Sequence, residues 1–148
     1  MRYNVLGALD AISHELITIC NETYINAECL CNLLKEISRI NVIAIQITLV
    51  LDNARYQRCK IVMDMAERLG IELLFLPSYS PQLNIIERLW KFIKKDCLYS
   101  KYYDCFAKFK EGINCSLQKV GSEELNTKMN TLLNLKFQTF ENTQVIPV

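Results

Sequence analysis

The sequence predicts an α/β domain, and three observations carry that prediction. Two apolar, β-branched runs at 45–51 and 71–76 flank a segment at 55–69 whose apolar residues recur at helical spacing. Strand, helix, strand in that order makes a parallel pair with a right-handed crossover. Upstream, two short β-forming runs at 3–9 and 15–20 are separated by a loop of hairpin length. A chain of 148 residues suits one domain that buries about 70% of its unfolded surface.

In chain order, the hairpin comes first, with Asp10 to His14 in its loop. Asn26 is placed to cap a helix at 27–37 with Leu30, Leu33, Leu34 and Ile37 as its apolar stripe. The run at 40–51 is so apolar that a strand covered on both faces is expected. In the helix at 55–69, Ile61, Met65 and Leu69 should share a buried face, and Gly70 should stop it. Pro77 and Pro81 stiffen the loop after the second parallel strand, because each fixes φ and removes a donor. Asn84 or Ser80 should cap the helix that follows. Ile86, Leu89, Trp90 and Ile93 should form its buried side, with Glu87 and Lys91 paired elsewhere. A helix at 104–117 and one at 122–133 complete the set. The second should be capped by Ser122 and begin with acids at 123 and 124. The tail from 134 is expected to be loosely held.

Composition excludes several classes. With 51% hydrophobic and 22% charged residues the chain reads as globular rather than disordered. No apolar run reaches membrane-spanning length, and the opening residues meet acids and a histidine too soon for a secretory leader. The four glycines, at 7, 70, 112 and 121, form no phosphate-cradling loop. A net charge of +1 gives no global nucleic-acid signature, so DNA binding would need basic residues gathered on one face. Seven scattered cysteines read as free, mostly buried thiols in a reducing cytoplasm. Cys29-Glu-Cys31 is too tight for the usual zinc hairpin.

The chemistry is concentrated between residues 48 and 95. The first parallel strand ends in Asp52. The second ends at the proline-bracketed loop, which leads into a helix carrying Glu87. Ligand chemistry in an open α/β sheet sits beyond the carboxyl ends of the strands. Two carboxylates there suit a hard, oxygen-loving divalent cation.

The pattern LDNAR, a helix, then LPSYSPQLNIIERLWKFIKK resembles the catalytic core of DDE-type transposases, in particular the mariner-like superfamily and its bacterial insertion-sequence relatives. The resemblance spans roughly residues 3–140. It implies a ribonuclease-H-like fold and DNA cleavage and strand transfer in transposition, with two Mg²⁺ or Mn²⁺ ions held by three acids. The second acid maps to Asp52 and the third to Glu87, with 34 residues between them. Asn53 and Asn84 would fix loop geometry and support the acids through hydrogen bonds. Arg55, Arg58, Arg88, Lys91, Lys94 and Lys95 would neutralise DNA phosphates. Gln57 stands where relatives often carry a histidine, and Gln82 and Ile85 replace the family's common acid and proline.

One strand is expected to be missing. Members of the family place a three-strand meander before the crossover helix, and only two strands precede that helix here. The sheet would then be incomplete, with about four strands, and would lack the first catalytic Asp. Asp10 reads as a turn residue instead, since the family's first acid lies much further ahead of the second. Residues 1–120 would form the incomplete core, and 121–148 the C-terminal helix and tail of the same domain. Two inner strand edges would be left open. Either another chain or upstream fragment supplies the strand, or strand 3–9 shifts to pair antiparallel with 45–51. The implied partners are DNA, as transposon ends and target, and a second copy in the active complex. The implied setting is the bacterial nucleoid. The alternative is a non-catalytic nucleic-acid-binding or oligomerising remnant.

Overall fold

The computed structural model describes residues 1–41, 46–99 and 101–134, apart from the side chains of 123, 124 and 126. Strand β1 (Asn4–Leu9) pairs antiparallel with β2 (Leu16–Asn21), Asn4 opposite Asn21 and Leu9 opposite Leu16. Asp10 closes the turn. Its Oδ1 accepts from the backbone N–H of Ile12 (2.8 Å) and of Ser13 (2.9 Å). Those backbone bonds hold the Asp10 carboxyl below its ordinary range, as a carboxylate committed to a turn should be.

Asn26 caps α1 (Ala27–Ile40), its side-chain oxygen accepting from the Cys29 N–H at 3.0 Å. Leu30, Leu33, Leu34 and Ile37 are buried, the stripe that the spacing predicts. The helix runs further than expected: Ile40, assigned to the next strand, is its last residue. Residue 45, the expected start of the strand proper, lies outside the described residues. Strand β3 (Ile47–Leu51) pairs in parallel with β4 (Ile71–Phe75), Ile47 opposite Ile71. The expectation of two covered faces fails here. Ile47, Leu49 and Leu51 turn toward the helices, while Val50 is 40% and Leu74 50% exposed. An apolar run shows that a face can be buried, and here no second layer lies over it among the described residues.

The segment between β3 and β4 is two pieces rather than one helix. A 3₁₀ turn (Arg55–Arg58) is followed by extended backbone at Cys59 and then by α2 (Lys60–Leu69). The break shifts the helical phase. Val62 and Ala66 are therefore buried, Met65 and Leu69 pack beside them, and Ile61 is exposed instead of sharing their face. Gly70 stops α2 at φ 71°, a conformation that costs glycine nothing. After β4, a 3₁₀ turn (Pro81–Leu83) leads to α3 (Ile85–Cys97). Asn84 caps α3 through the Ile86 N–H at 3.4 Å, and Ser80 makes no capping bond.

Helix α3 buries Ile85, Leu89, Ile93 and Cys97, with Ile86 and Trp90 half-buried. Helix α4 (Phe106–Lys119) begins two residues after Asp104, which pairs with Lys108 at 2.9 Å. Ser122 precedes α5 (Glu123–Leu132), but its hydroxyl donates back to the Lys119 carbonyl rather than capping α5. The expected acids of that first turn, and the tail from 135, lie outside what is described. Two cysteines, Cys31 and Cys97, are buried. Cys105 and Cys115 are exposed and the other three are half-buried, so burial covers fewer thiols than expected.

Two apolar cores result. In one, α1 and α2 meet Leu6, Ala8, Ile17 and Ile19 from the hairpin and Ile47, Leu49, Leu51, Ile71 and Leu73 from the parallel pair. In the other, Leu89, Ile93, Ile113, Met129 and Leu133 of the last three helices and their ends meet Val5, Leu9 and Leu16. The hairpin is thus sandwiched and the parallel pair is covered on one side. The two pairs remain separate sheets, and among the described residues no ladder joins β1 to β3. The shift of strand 3–9 onto strand 45–51 does not occur. Strand β1 is held elsewhere: Tyr3 donates to Asn114 of α4 at 2.7 Å, and the Trp90 ring lies flush on Gly7.

Two outcomes follow for this framework. A Cβ at residue 7 would sit 2.8 Å from the Trp90 ring, so Gly7→Ala should lower stability by about 1–3 kcal/mol, read from the urea midpoint. Asp96 accepts from the buried Ser116 hydroxyl at 2.8 Å, and this bond, helped by Lys119, lowers its carboxyl below 3.8. A lowered folded-state value means stability that is present above 3.8 and lost as pH falls through the folded value. Ser116→Ala should therefore flatten the acid limb of the stability curve below about pH 4, as measured by urea unfolding at a series of pH values.

Candidate metal and DNA site

Asp52 is the first residue beyond β3. The parallel ladder continues to the strand tip, where the Leu76 N–H donates to the Leu51 carbonyl at 2.8 Å. Asp52 is exposed, and one of its oxygens is committed: the Gln57 Nε2 donates to Oδ1 at 2.8 Å. Among the described residues no hydrogen bond engages Oδ2. Tyr56 packs into the same corner. Burial pushes its hydroxyl pKa up, contact with Gln57 draws it partly back, and the Asp52 charge pushes it up again.

Asn53 takes the left-handed conformation at φ 74°, and so does Tyr79, at φ 58°, in the loop after β4. The two loops touch. The Asn53 Nδ2 lies 3.5 Å from Ser78 Oγ, and Asn53 Oδ1 accepts from Arg58 Nε. The Arg58 guanidinium lies over the Phe75 ring, 4.3 Å from its centroid. Asn53, expected to fix loop geometry, thus bridges the ends of β3 and β4. Arg58, expected to meet DNA, is also part of that bridge.

Glu87 lies in the first turn of α3, half-buried, with its N–H bonded to the Asn84 carbonyl at 3.1 Å. An acid there also favours the helix, whose N-terminus is its positive end. At about 100° per residue, Glu87, Lys91, Lys94 and Lys95 fall on one side, opposite Ile85, Leu89 and Ile93. Lys91, Lys94 and Lys95 are exposed. Glu87 and Lys91 share that side without forming an ion pair among the described residues. Arg55 is exposed at the start of the 3₁₀ turn. Arg88 instead donates to the Asn134 carbonyl at 2.6 Å, tying α3 to the end of α5. No hydrogen bond or ion pair joins Glu87 to the Asp52 group among the described residues.

Carboxylates at a strand tip and a helix start have the right donor chemistry for Mg²⁺ or Mn²⁺. Their number falls short of a full site: among the described residues no three His, Cys, Asp or Glu side chains gather to hold an ion. The sequence marks Gln57 only as a departure from the family pattern, and its hold on Asp52 is what sequence reasoning misses. Gln57 is 5% exposed, and its role is hidden because a 3₁₀ turn, not an α-helix, points it back at Asp52.

The described domain is α/β, with one acid just beyond the tip of a parallel strand and a second in the first turn of a helix that follows a proline-bracketed loop. The chain belongs to the DDE superfamily endonucleases, whose family model matches residues 1–110. The match is consistent with a DDE-type transposase domain, a class of nuclease that acts on DNA and generally depends on divalent metal. It ends before α5, short of the span to 140 that the motif suggested. No curated protein matches the chain. No helix among the described residues is long and apolar enough to cross a membrane.

The bridge between the strand ends yields a stability outcome. Arg58→Ala removes both the bond to Asn53 and the contact with Phe75. It should cost about 1 kcal/mol, a value typical of such contacts, with the loss read from thermal unfolding.

Proposed function

We propose that this chain is the C-terminal portion of a DDE transposase catalytic domain of ribonuclease-H-like fold, which cuts DNA phosphodiesters and transfers strands in transposition. The observation that carries the reading is Asp52. It stands at the tip of a parallel strand inside the matched region, with one carboxylate oxygen held and the other without a hydrogen bond among the described residues. Asp52 and Glu87 would hold Mg²⁺ or Mn²⁺. When bound, the ions stabilise the attacking and leaving oxygens of the displacement. Arg55, Lys91, Lys94 and Lys95, exposed and without ion-pair partners among the described residues, would bind DNA phosphates in a salt-dependent way.

The separation of β1–β2 from β3–β4 supports a further part of the reading. Both pairs pack on one helical layer, and no ladder joins them among the described residues. A strand laid between β1 and β3 would pair both inner edges and make one five-stranded sheet. In this reading that strand, with the first carboxylate, comes from outside these residues, either from a preceding segment or from a partner chain. The active form would be a dimer on transposon ends, in the bacterial nucleoid.

The test is nicking of supercoiled DNA with Mn²⁺, with and without a fragment carrying an acid-bearing strand. The chain alone should leave the plasmid intact, the mixture should nick it, and Asp52→Asn should abolish nicking. Nicking that Asp52→Asn leaves unchanged overturns the assignment. Metal-independent DNA binding with no nicking by any mixture would instead favour a non-catalytic DNA-binding remnant.

A further inference from the structure

Gln57 is almost wholly buried, at 5% exposure, yet both ends of its carboxamide are satisfied within six residues of chain. Its Oε1 accepts the Ala54 N–H at 2.9 Å, and its Nε2 donates to Asp52 Oδ1 at 2.8 Å. Its own N–H bonds to the Ala54 carbonyl at 3.0 Å, closing the 3₁₀ turn on itself. The amide therefore cannot rotate without breaking a part-buried hydrogen bond, and the Asp52 carboxylate cannot rotate without losing Nε2.

We infer that Gln57 is a positioning residue for metal binding. It fixes the Asp52 carboxylate so that Oδ2 is presented, preoriented, to a divalent cation while Oδ1 stays with the amide. The inference rests on the reading of Asp52 as a ligand. Its physical content is the ordering of one torsion during folding rather than at binding, together with a choice of single-oxygen over two-oxygen coordination. Partners of this kind, bonded to a ligand rather than to the ion, typically change metal affinity 10- to 100-fold when removed. An exposed carboxylate at a strand tip would otherwise sample several orientations, and each would weaken a site that already has few donors.

Arg58 does not share this role. It braces Asn53 against Phe75 and Ser78, one residue further along, and leaves the Asp52 oxygens alone. The contact to Asp52 is thus made by a neutral, non-titrating amide.

The test is titration of the full chain with Mn²⁺ alone, following the free-ion signal by electron paramagnetic resonance, with unfolding curves in parallel. Gln57→Met keeps the volume and removes both hydrogen bonds. It should weaken Mn²⁺ binding at least tenfold in protein shown to be folded. Gln57→His restores a donor in the same place and should recover most of the affinity. Should methionine not be accepted by the fold, Gln57→Asn keeps a buried amide one methylene too short and should show the same loss. Asp52→Asn separates the two ideas. If it abolishes binding while folded Gln57→Met binds like the parent chain, the positioning role falls and the site stands. Were Asp52→Asn to bind Mn²⁺ like the parent, the ligand assignment would fall, and the inference with it.

Discussion

The apolar stripe of α1 is the contact on which the rest of the molecule depends. Leu30, Leu33, Leu34 and Ile37 are all 5% exposed or less. They share one core with side chains from the hairpin, from α2 and from the parallel pair. Since no ladder joins the two sheets among the described residues, backbone hydrogen bonding does not hold them together. Burial does. Fully burying one such side chain contributes roughly 1.5–3 kcal/mol. The stripe is therefore large enough to fix the sheets as one body, although a hydrophobic contact is too undirected to set their spacing as a ladder would.

A second constraint sets the helix that carries Glu87. Trp90 lies on Gly7 so closely that any side chain at residue 7 would meet the ring. Tyr3 to Asn114, Lys110 to Glu22 and Ser116 to Asp96 then tie α4 to the hairpin and to α3. The helix that bears one acid is thereby referenced to β1, while the other acid is referenced to β3. In the proposed completion of the sheet, a strand paired with both β1 and β3 would couple the two references directly.

Much of this was legible in the linear chain, for local reasons. Asn26 and Asn84 are recognisable as caps because a short polar side chain can reach orphan N–H groups, and both do so. Gly70 is a natural helix stop in sequence and adopts the left-handed conformation. Asp10 has the sequence setting of a turn residue, and its carboxylate is occupied by the turn. Burial is where the structure departs most from the apolar pattern. The apolar side chains at 40, 50 and 61 are expected on buried faces, yet all three are exposed. Composition records what could be buried, whereas the end of α1 at Ile40, a 3₁₀ turn at 55–58 and an uncovered sheet face decide what is.

What the sequence determined by itself was the local and the inherited: element order, caps, the parallel βαβ unit, and a motif specific enough to name the family before any coordinates. Tertiary structure decided which strand edges stay apart, how α3 is pinned to β1, and that the buried amide of Gln57 grips Asp52. The physical reason is range. Helical period and capping act over a few residues and leave their mark in the order of the letters. Edge pairing, and the aim of a side chain through an irregular turn, depend on what chain folding brings alongside, and no spacing in the sequence records that.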